Sequence, residues 1–232
     1  MKAAVIVFPG SNCDHDMYYV LKHVMGIDTQ FLWHKDTAIG EIDAVFLPGG
    51  FSFGDYLRTG SIARFSPIMD EVIKFADGGG LVFGVCNGFQ VLCEAGLLPG
   101  VLRKNRNLDF ICRQVTVRVE NTATRFSSAC TQGQILQMPV AHGEGNYYAE
   151  PDTIRKLEEN RQVVFRYATV EGEITDRANI NGSVNNIAGI CNDRGNVLGM
   201  MPHPERAAEF QLGSADGKFI FDSIVNKIAE FV

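Results

Sequence analysis

The chain has 232 residues, of which 46% are hydrophobic and 21% are charged, and it carries a formal net charge of −6. Its lysines and arginines are dispersed, whereas a nucleic-acid phosphate backbone is bound by clustered basic residues, so we expect no nucleic-acid partner. No apolar stretch approaches the ~20 residues that span a membrane, so the composition predicts a globular protein with no membrane contact.

The first half of the chain alternates short apolar strands with amphipathic helices. We expect strands over 3–8, 30–33, 43–47 and 81–83, and helices over 16–24 and 66–76. Continuously apolar strands separated by helices are typical of a parallel sheet with helices on both faces. The first strand ends at Pro9-Gly10, so its apolar run is too short for the core of a signal peptide.

Beyond Asn107 the pattern becomes that of half-exposed strands. Apolar and polar residues alternate over 110–120, and further strands are predicted over 134–141, 163–167, 187–191 and 197–201. Ser214 or Asp216 is expected to cap a last helix. Its apolar positions are Phe219, Ile220, Ile224, Ile228 and Phe231. With no internal repeat, low-complexity tract or linker, residues 1–232 are predicted to form a single domain.

Cysteines occur at positions 13, 86, 93, 112, 130 and 191. No two of them form a C-x-x-C pair and the chain shows no secretory signal, which favours reduced thiols in a cytoplasmic protein over a disulfide framework. Cys13 and His15 lie two positions apart, but no second pair completes a zinc-binding set. No metal site is therefore predicted.

One of these cysteines lies in a pattern typical of a nucleophile. Cys86 stands between Gly84 and Gly88, after the apolar run 81–83 and before a helical segment over 89–95. This is the thiol form of the G-x-S-x-G elbow, in which a strained strand-to-helix turn requires small neighbours. The helix N-terminus beneath the side chain favours the thiolate. A buried core cysteine is the alternative, and the flanking glycines favour the nucleophile.

A cysteine nucleophile needs a base, and His203 is the candidate. It follows the apolar strand predicted over 197–201, and Pro204 holds it in an extended conformation. Residues i and i+2 of an extended segment point to the same side, so we expect His203 and Glu205 to project together. The carboxylate would then hold one ring nitrogen while the other faces the nucleophile. A proline-rich turn with a solvated ion pair is the alternative.

The order of these residues along the chain narrows the class of enzyme. An α/β-hydrolase places its acid between the nucleophile and the histidine. Here the order is Cys86, His203, Glu205, with base and acid two residues apart. The topology of an α/β-hydrolase is therefore not expected.

Together the motifs resemble a known family. Gly-x-Cys-x-Gly-x-Gln followed far downstream by His-Pro-Glu resembles the class I (triad) glutamine amidotransferases. The strings at 8–14 (FPGSNCD), 48–58 (PGGFSFGDYLR), 86–90 (CNGFQ) and 203–206 (HPER) are similar to one branch, the glutaminase subunits of formylglycinamide ribonucleotide amidotransferase. The resemblance covers essentially the whole chain. It implies an α/β, flavodoxin-like fold with a central, mostly parallel sheet, helices on both faces and an antiparallel extension.

The resemblance also implies roles for residues. Cys86 would attack the side-chain amide of glutamine to form a glutamyl thioester, His203 would protonate the departing ammonia, and Glu205 would orient His203. The backbone amides of Gly50 and Asn87 suit an oxyanion hole, since one lies in a glycine turn and the other follows the nucleophile. The substrate-binding residues would be Gly49, Gln90, His142, Gly143 and Glu144.

A glutaminase alone makes no purine precursor. The chain has no G-x-x-x-x-G-K-[ST] loop, and the nearest string, 213–219, has the wrong spacing, so no cofactor is expected in this chain. The resemblance implies a large synthetase subunit (PurL type) that binds ATP and Mg, and a small accessory subunit (PurS type). With ammonia from this chain, that assembly would convert formylglycinamide ribonucleotide to formylglycinamidine ribonucleotide in purine biosynthesis.

Two alternatives stay open. A cysteine enzyme of the PfpI peptidase or deglycase kind has a similar fold, but it typically places its histidine beside the elbow cysteine, where this chain has Asn87. A non-catalytic binding subunit could keep the fold. The presence of Cys86, His203 and Glu205 argues against that second alternative.

Overall fold

A nine-stranded mixed sheet forms the centre of the molecule in the computed structural model, which describes residues 1–229 and side chains as far as residue 226. The strands of this part of the chain are β1 (Lys2–Val7), β2 (Asp28–Trp33), β3 (Ala44–Leu47), β4 (Leu81–Val85), β5 (Val101–Arg103), β6 (Ile111–Val119), β7 (Ile135–His142), β8 (Asn146–Tyr148), β9 (Val163–Tyr167), β10 (Ile187–Cys191) and β11 (Val197–Met200). The side chain of Ile228 and all of Phe231, two expected apolar positions of the last helix, lie outside this description.

The α-helices within residues 1–229 are α1 (Asp14–Tyr19), α2 (Pro67–Asp77), α3 (Asn87–Glu94), α4 (Pro151–Glu159) and α5 (Lys218–Ala229). α1 continues into a π-helical segment over Val20–Val24. α2 and α4 begin with proline, which suits the first turn of a helix because its N–H groups have no partner inside the helix. No helix of the described residues is both long and apolar enough to cross a membrane.

One part of the sheet is parallel and the rest is antiparallel. Parallel pairing joins the strands in the order β2-β1-β3-β4-β11, and antiparallel pairing continues the sheet through β10, β9, β6 and β7. The short strands β5 and β8 form a separate antiparallel pair. The predicted α/β fold class is confirmed, and its antiparallel extension is nearly as wide as the parallel part.

The strand order determines where a site can form. The order reverses between β1 and β3, and ligands of open α/β sheets bind at the carboxyl ends of strands beside such a reversal. Here the loop after β1 meets the loop after β3 in a bridge between Ser11 and Gly50. β4 ends immediately before Cys86, and β11 ends shortly before His203. The candidate residues therefore converge at the carboxyl ends of the parallel strands.

A rigid apolar core holds these strand ends. β3 and β4 are buried along their whole length, as expected for continuously apolar runs. Phe46 of β3 and Phe83 of β4 meet edge to face with ring centroids 6.2 Å apart. Phe126 and Phe221 contact Phe83 in turn. Such packing leaves little freedom for the residues that follow each strand.

The sequence does not predict three of the elements and misplaces one cap. β5 and β8 have three residues each, too few for an alternating pattern to show. α4 buries little more than Ile154 and Leu157, so its apolar stripe is short. Neither Ser214 nor Asp216 caps α5, because the Asp216 carboxylate accepts the N–H of Gln137 (2.7 Å) and Ser214 Oγ accepts the N–H of Asp216 (3.1 Å). The single domain over 1–232 stays a prediction.

Candidate active site

Cys86 lies at the turn between β4 and α3 with a backbone conformation that few residues adopt. Its φ is 51° and its ψ is −105°, a strained combination of the kind that persists at functional sites. A Cβ on Gly88 would overlap the carbonyl of Leu47, and one on Gly84 would lie 2.7 Å from the carbonyl carbon of Gly88. Both flanking positions therefore need glycine. Because α3 begins at Asn87, the thiol stands at its N-terminus.

A cavity of about 180 Å³ opens beside this thiol. Cys86 is only 4% exposed, and its Sγ lies 3.7 Å from the carbonyl oxygen of Ala141. The cavity is lined by Gly50, Phe51, Asp55, Thr59, Cys86, Gln90, Phe110, Ala141, His142, Gly143 and Glu144. Many of the residues expected to act on or bind a substrate thus surround one small space.

His203 and Glu205 form a buried pair next to the cavity. The N–H of His203 donates to the carbonyl of Pro139 at 2.8 Å, which ties the segment after β11 to β7. Nδ1 of His203 lies 2.6 Å from Oε1 of Glu205, and both residues are 1% exposed. His203 itself is extended, as predicted, with φ −101° and ψ 90°, but the residues after it form a short 3₁₀ turn over Pro204–Arg206, so Glu205 is not extended. Nε2 is buried without a hydrogen-bond partner within residues 1–229, so it is left for the thiol.

The surroundings of His203 favour the imidazolium. Burial lowers its pKa, but the Glu205 carboxylate and the Cys86 sulfur outweigh burial and raise the pKa of His203 well above its ordinary value. An imidazolium beside a cysteine stabilises the thiolate. Cys86 and His203 can therefore form a thiolate–imidazolium pair, the reactive form of a cysteine nucleophile.

Cys13 is a second thiol beside His203, and the sequence does not predict it. Its Sγ, a ring nitrogen of His203 and a carboxylate oxygen of Glu205 lie within 4.8 Å of one another. Such donors could hold a metal ion, but we propose none because the Glu205 carboxylate already engages Nδ1 of the ring. Burial raises the pKa of Cys13, which keeps it a neutral thiol. The signal in the sequence is its place after β1, beside the reversal of strand order.

The Gly49-Gly50 turn packs directly against this pair. A Cβ on Gly49 would lie 2.6 Å from Cε1 of His203 and 3.0 Å from Sγ of Cys13. Gly50 has a φ of +144°, and a Cβ there would lie 2.8 Å from the backbone nitrogen of Asn12. The carbonyl of Gly49 accepts the N–H of Cys13 at 3.3 Å. No side chain fits at either position without moving the residues around it.

Amide side chains join the loops around the cavity. Oδ1 of Asn87 accepts the N–H of Ser52 (3.2 Å), and Nδ2 of Asn87 donates to Oε1 of Gln90 (2.9 Å). Nε2 of Gln90 donates in turn to the carbonyl of Glu144 (2.6 Å). The Glu144 carboxylate accepts the hydroxyl of Thr59 at 2.8 Å. Gln90 therefore holds the wall of the cavity in place as well as lining it.

His142 presents an unprotonated ring nitrogen. Its Nδ1 lies 3.1 Å from Oδ1 of Asn105, which also accepts the N–H of Gly145 at 3.0 Å. Because an amide oxygen only accepts, Nδ1 carries the proton and Nε2 is an acceptor. That Nε2 has no partner within residues 1–229. Burial, and then the nearby His203, lower the pKa of His142 to about 4, so its ring is neutral at physiological pH.

The structure brings every site residue expected from the sequence to one end of the sheet. The set includes the candidate nucleophile, base and acid, the two candidate oxyanion donors and the loop over 142–144. Asp55, Thr59 and Asn105 join them without having been predicted as site residues; Asp55 lies within the string 48–58, whereas Thr59 and Asn105 lie in no motif. Burial and then Glu94 raise the pKa of the Cys93 thiol, which disfavours its thiolate.

Comparison with known proteins places the chain among close relatives. A profile of the CobB/CobQ-like glutamine amidotransferase domain matches residues 1–216. A phosphoribosylformylglycinamidine synthase subunit PurQ from Salinibacter ruber is 56% identical over 225 residues, covering 97% of this chain and 96% of the relative. The protein of the same name from Moorella thermoacetica is 58% identical over 226 residues, covering 97% and 96%.

Solved structures show the same likeness. A chain in the structure of PurLQS from Thermotoga maritima is 42% identical and superposes with a TM-score of 0.87, covering 98% of both chains. Another structure from Thermotoga maritima, described as a glutamine amidotransferase, superposes with a TM-score of 0.57, covering 97% of this chain and 90% of that one. At 14% identity, that second likeness shows the fold alone.

Proposed function

Since this chain belongs to the phosphoribosylformylglycinamidine synthase subunit PurQ family of CobB/CobQ-like glutamine amidotransferases, we propose that Cys86 is the nucleophile with which it hydrolyses glutamine. As a member of that family, it supplies ammonia for the conversion of formylglycinamide ribonucleotide to formylglycinamidine ribonucleotide in purine biosynthesis. The observation that carries the proposal is the buried His203–Glu205 pair beside a strained cysteine and a small cavity.

The first half of the reaction forms a thioester. Nε2 of His203 takes the proton of the Cys86 thiol, and Sγ attacks the carboxamide carbon of glutamine. Glu205 holds the resulting imidazolium through Nδ1, at 2.6 Å. When the tetrahedral intermediate collapses, His203 returns the proton to the departing nitrogen. Ammonia leaves, and a glutamyl thioester remains on Cys86.

The second half removes the glutamyl group. His203, again neutral, takes a proton from a water molecule that attacks the thioester carbon. The carbon–sulfur bond breaks, glutamate is released, and the proton returns to Cys86. Both halves pass through a tetrahedral oxyanion, so the same hydrogen-bond donors can stabilise the negative charge in each half.

We assign the oxyanion hole to the backbone N–H groups of Asn87 and Gly50. As the first residue of α3, Asn87 has an N–H without a partner inside the helix. Gly50 reaches the cavity from the turn after β3. One such donor is worth roughly 10²–10³ in rate when it is aimed at the oxyanion. Two donors from separate loops would cradle the charge from two sides.

The remaining expected residues would shape the pocket for glutamine. Gly49 allows the turn to approach His203, and Gln90 holds the carbonyl of Glu144. Gly143 and His142 line the cavity together with the loop after β3, and the carbonyl of Gly143 accepts the N–H of Asn105 at 2.9 Å. This arrangement suits a single amino-acid side chain that reaches the thiol from the open side.

An observation on Asn87 speaks against the PfpI-like alternative. In that class the residue after the cysteine would be the base. Here the Asn87 side chain is buried and bound to Ser52 and Gln90, and an amide has no titratable proton. The base must therefore come from elsewhere, and His203 is in place for it.

The partners are proposed by analogy with the PurLQS structure from Thermotoga maritima. We assign the synthetase chemistry, with ATP and Mg, to a large subunit of the PurL type, and we expect a small accessory subunit of the PurS type. The loop over 51–60 offers a contact surface at the mouth of the cavity. Phe51, Tyr56 and Leu57 there are 43%, 74% and 93% exposed.

The proposal is tested by trapping the intermediate. The wild-type chain, assembled with the synthetase and accessory subunits, is quenched in acid during turnover of radiolabelled glutamine. We expect label on the peptide that contains Cys86 and none in Cys86→Ala. The Cys86→Ala complex should still form formylglycinamidine ribonucleotide from free ammonia, since the synthetase chemistry lies on another chain.

The control is Cys93→Ala, in the same helix, which should be nearly silent. Full glutamine-dependent activity in Cys86→Ala would show that the nucleophile is assigned wrongly. Loss of ammonia-dependent activity as well would indicate a failed assembly, and the assembly is checked by size-exclusion chromatography.

A further inference from the structure

The cavity beside Cys86 is rich in acceptors and has no lysine or arginine among its lining residues. Asp55 and Glu144 both line it, and Oδ1 of Asp55 is buried without a hydrogen-bond partner within residues 1–229. Burial, and then the Glu144 carboxylate, raise the pKa of Asp55 to about 6. Two carboxylates that repel each other in a partly desolvated space form a place where a cation is stabilised.

A third acceptor points to the same conclusion. His142 is 3% exposed, lines the same cavity and has an unpartnered Nε2. Because Asn105 fixes the proton on Nδ1, this Nε2 can only accept. A ligand of this cavity must therefore bring hydrogen-bond donors. Buried acceptors without donors are costly, which makes them informative about the ligand.

The backbone around Asp55 is held in a strained conformation. Phe53, Asp55 and Leu57 have φ values of 54°, 55° and 68°, in the left-handed region that residues with side chains seldom adopt. Arg58 anchors the loop to α3 through two bonds to the Glu94 carboxylate, at 2.7 and 2.6 Å. Strain of this kind persists where the surroundings enforce it, typically at ligand-binding sites.

We propose that Asp55, with Glu144 beside it, binds the α-ammonium group of glutamine and thereby selects an amino acid with a free α-amino group. The inference rests on the proposed function, because it concerns the end of the substrate opposite the carboxamide that Cys86 attacks. An ammonium group has three N–H donors and one positive charge. It therefore supplies hydrogen-bond donors for Oδ1 of Asp55 and Nε2 of His142. It also supplies a positive charge that offsets the negative charges of Asp55 and Glu144.

The test compares two substrates that differ only in this group. L-glutamine and 4-carbamoylbutanoate share the carboxamide and the carboxylate, but the second compound lacks the α-amino group. Both are given to the assembled complex carrying wild-type chain or Asp55→Asn. The value of kcat/KM is measured for each, and 4-carbamoylbutanoate is also measured as a competitive inhibitor of glutamine hydrolysis, so that its Ki is obtained whether or not it turns over.

We expect Asp55→Asn to lower kcat/KM for L-glutamine by about 10–100-fold, mainly through KM, as for loss of a hydrogen bond to a charged group. The Ki of 4-carbamoylbutanoate should change by less than about threefold, since that compound has nothing to give Asp55. Asp109→Asn, an exposed aspartate bound to Asn107, is the matched control and should alter neither value.

A second variant separates ligand binding from support of the loop. Glu94→Gln weakens the anchor of Arg58 without removing an acceptor from the cavity, so it should affect both compounds equally. If Asp55→Asn likewise weakens both compounds equally, or leaves glutamine unaffected, the assignment of Asp55 is overturned. If the wild-type complex does not hydrolyse glutamine at all, it is the proposed function that fails.

Discussion

Gly49 lies directly against His203, so that a Cβ at residue 49 would come within 2.6 Å of Cε1 of the imidazole. The ring has little room to retreat, because its other side is bound to Glu205 and it is 1% exposed. The glycine turn after β3 and the base after β11 are thus fitted to each other. A substitution in the Gly49-Gly50 turn should therefore displace His203.

Gly49→Ala is therefore expected to lower glutaminase turnover by at least about 10²-fold, since displacing a catalytic group by 1 Å can cost that much. Overpacking should also lower the free energy of unfolding by roughly 1–3 kcal/mol. Turnover and urea denaturation measure the two effects. Gly78→Ala is the control, because a Cβ there meets only ordinary contacts at 3.4 Å. Normal turnover in Gly49→Ala would contradict the close packing of Gly49 against His203.

Glu205→Gln should be less damaging than His203→Ala if the carboxylate only orients the base. Removing a general base costs roughly 10²–10⁴-fold in rate. Glutamine keeps an oxygen where Oε1 meets Nδ1, so it preserves part of the orientation and should leave measurable turnover. The readouts are kcat and its pH profile. The acidic limb should move to lower pH in Glu205→Gln, because the carboxylate no longer raises the pKa of His203.

His203→Ala leaves the buried Glu205 carboxylate unpaired, which destabilises folded proteins by about 3–5 kcal/mol. Circular dichroism and thermal melting are needed to show that the variant is folded, and His203→Gln serves as a milder substitute. If the glutamate variant proves the more severe of the two in kcat, the roles of the two residues have been exchanged.

Cys13→Ala should retain activity within about tenfold of wild type, since it removes one neutral hydrogen bond, from Sγ to Oδ1 of Asn12 at 3.2 Å, worth roughly 0.5–1.5 kcal/mol. Cys13 touches the base, but burial raises its pKa and keeps it protonated. Alkylation by iodoacetamide, followed by mass spectrometry, should therefore modify Cys86 first, and glutamine should protect Cys86. Equal modification rates for the two thiols would mean that Cys13 shares the reactivity of the nucleophile.

His142 should make the protein less stable in mild acid. Its pKa is lowered from about 6.5 in the unfolded chain to about 4 in the folded protein, so only the unfolded state takes up a proton between these values. Stability is therefore intact above about pH 6.5 and falls as the pH drops towards 4, by roughly 3 kcal/mol. Urea denaturation of wild type and His142→Gln across this range gives the difference. Parallel curves for the two proteins would refute the prediction.

The isolated chain should be a poor glutaminase that its partners activate. One oxyanion donor is worth roughly 10²–10³ in rate, and the Gly49-Gly50 peptide is a candidate for rearrangement because it leads into the exposed loop over 51–60. Leu57→Asp should weaken docking of the synthetase and reduce the activation, whereas Val170→Asp, at a residue 62% exposed on the antiparallel part, should not. Turnover of the lone chain and of the complex are compared. Equal values would exclude activation but not the glutaminase assignment.

Much of the site could be predicted from the sequence because its parts have local signatures. The sharp turn between β4 and α3 admits only glycine two residues before and after Cys86, so Gly84 and Gly88 predict the turn. The Pro204 neighbour of His203 and the spacing to Glu205 are likewise local. His203 is extended as predicted, but Glu205 lies in a 3₁₀ turn that the sequence does not predict.

The fold class also followed from local patterns, since buried parallel strands must be apolar throughout and half-exposed antiparallel strands must alternate. Elements with too few buried residues, such as β5, β8 and α4, left no such pattern. A strand or helix must bury several residues at regular spacing before its periodicity can be recognised in the sequence.

Only the tertiary structure decided which loops meet. Cys13 reaches His203 because the loop after β1 and the segment after β11 leave the same end of the parallel strands. Asp55 meets Glu144 and His142 although β3 and β7 are six strands apart in the sheet. The carbonyl of Pro139 in β7 also accepts the N–H of His203. No local pattern in the sequence predicts contacts between residues so far apart along the chain. The protonation of these groups is decided in the same way, because burial and neighbouring charges set each pKa and both exist only once the chain is folded.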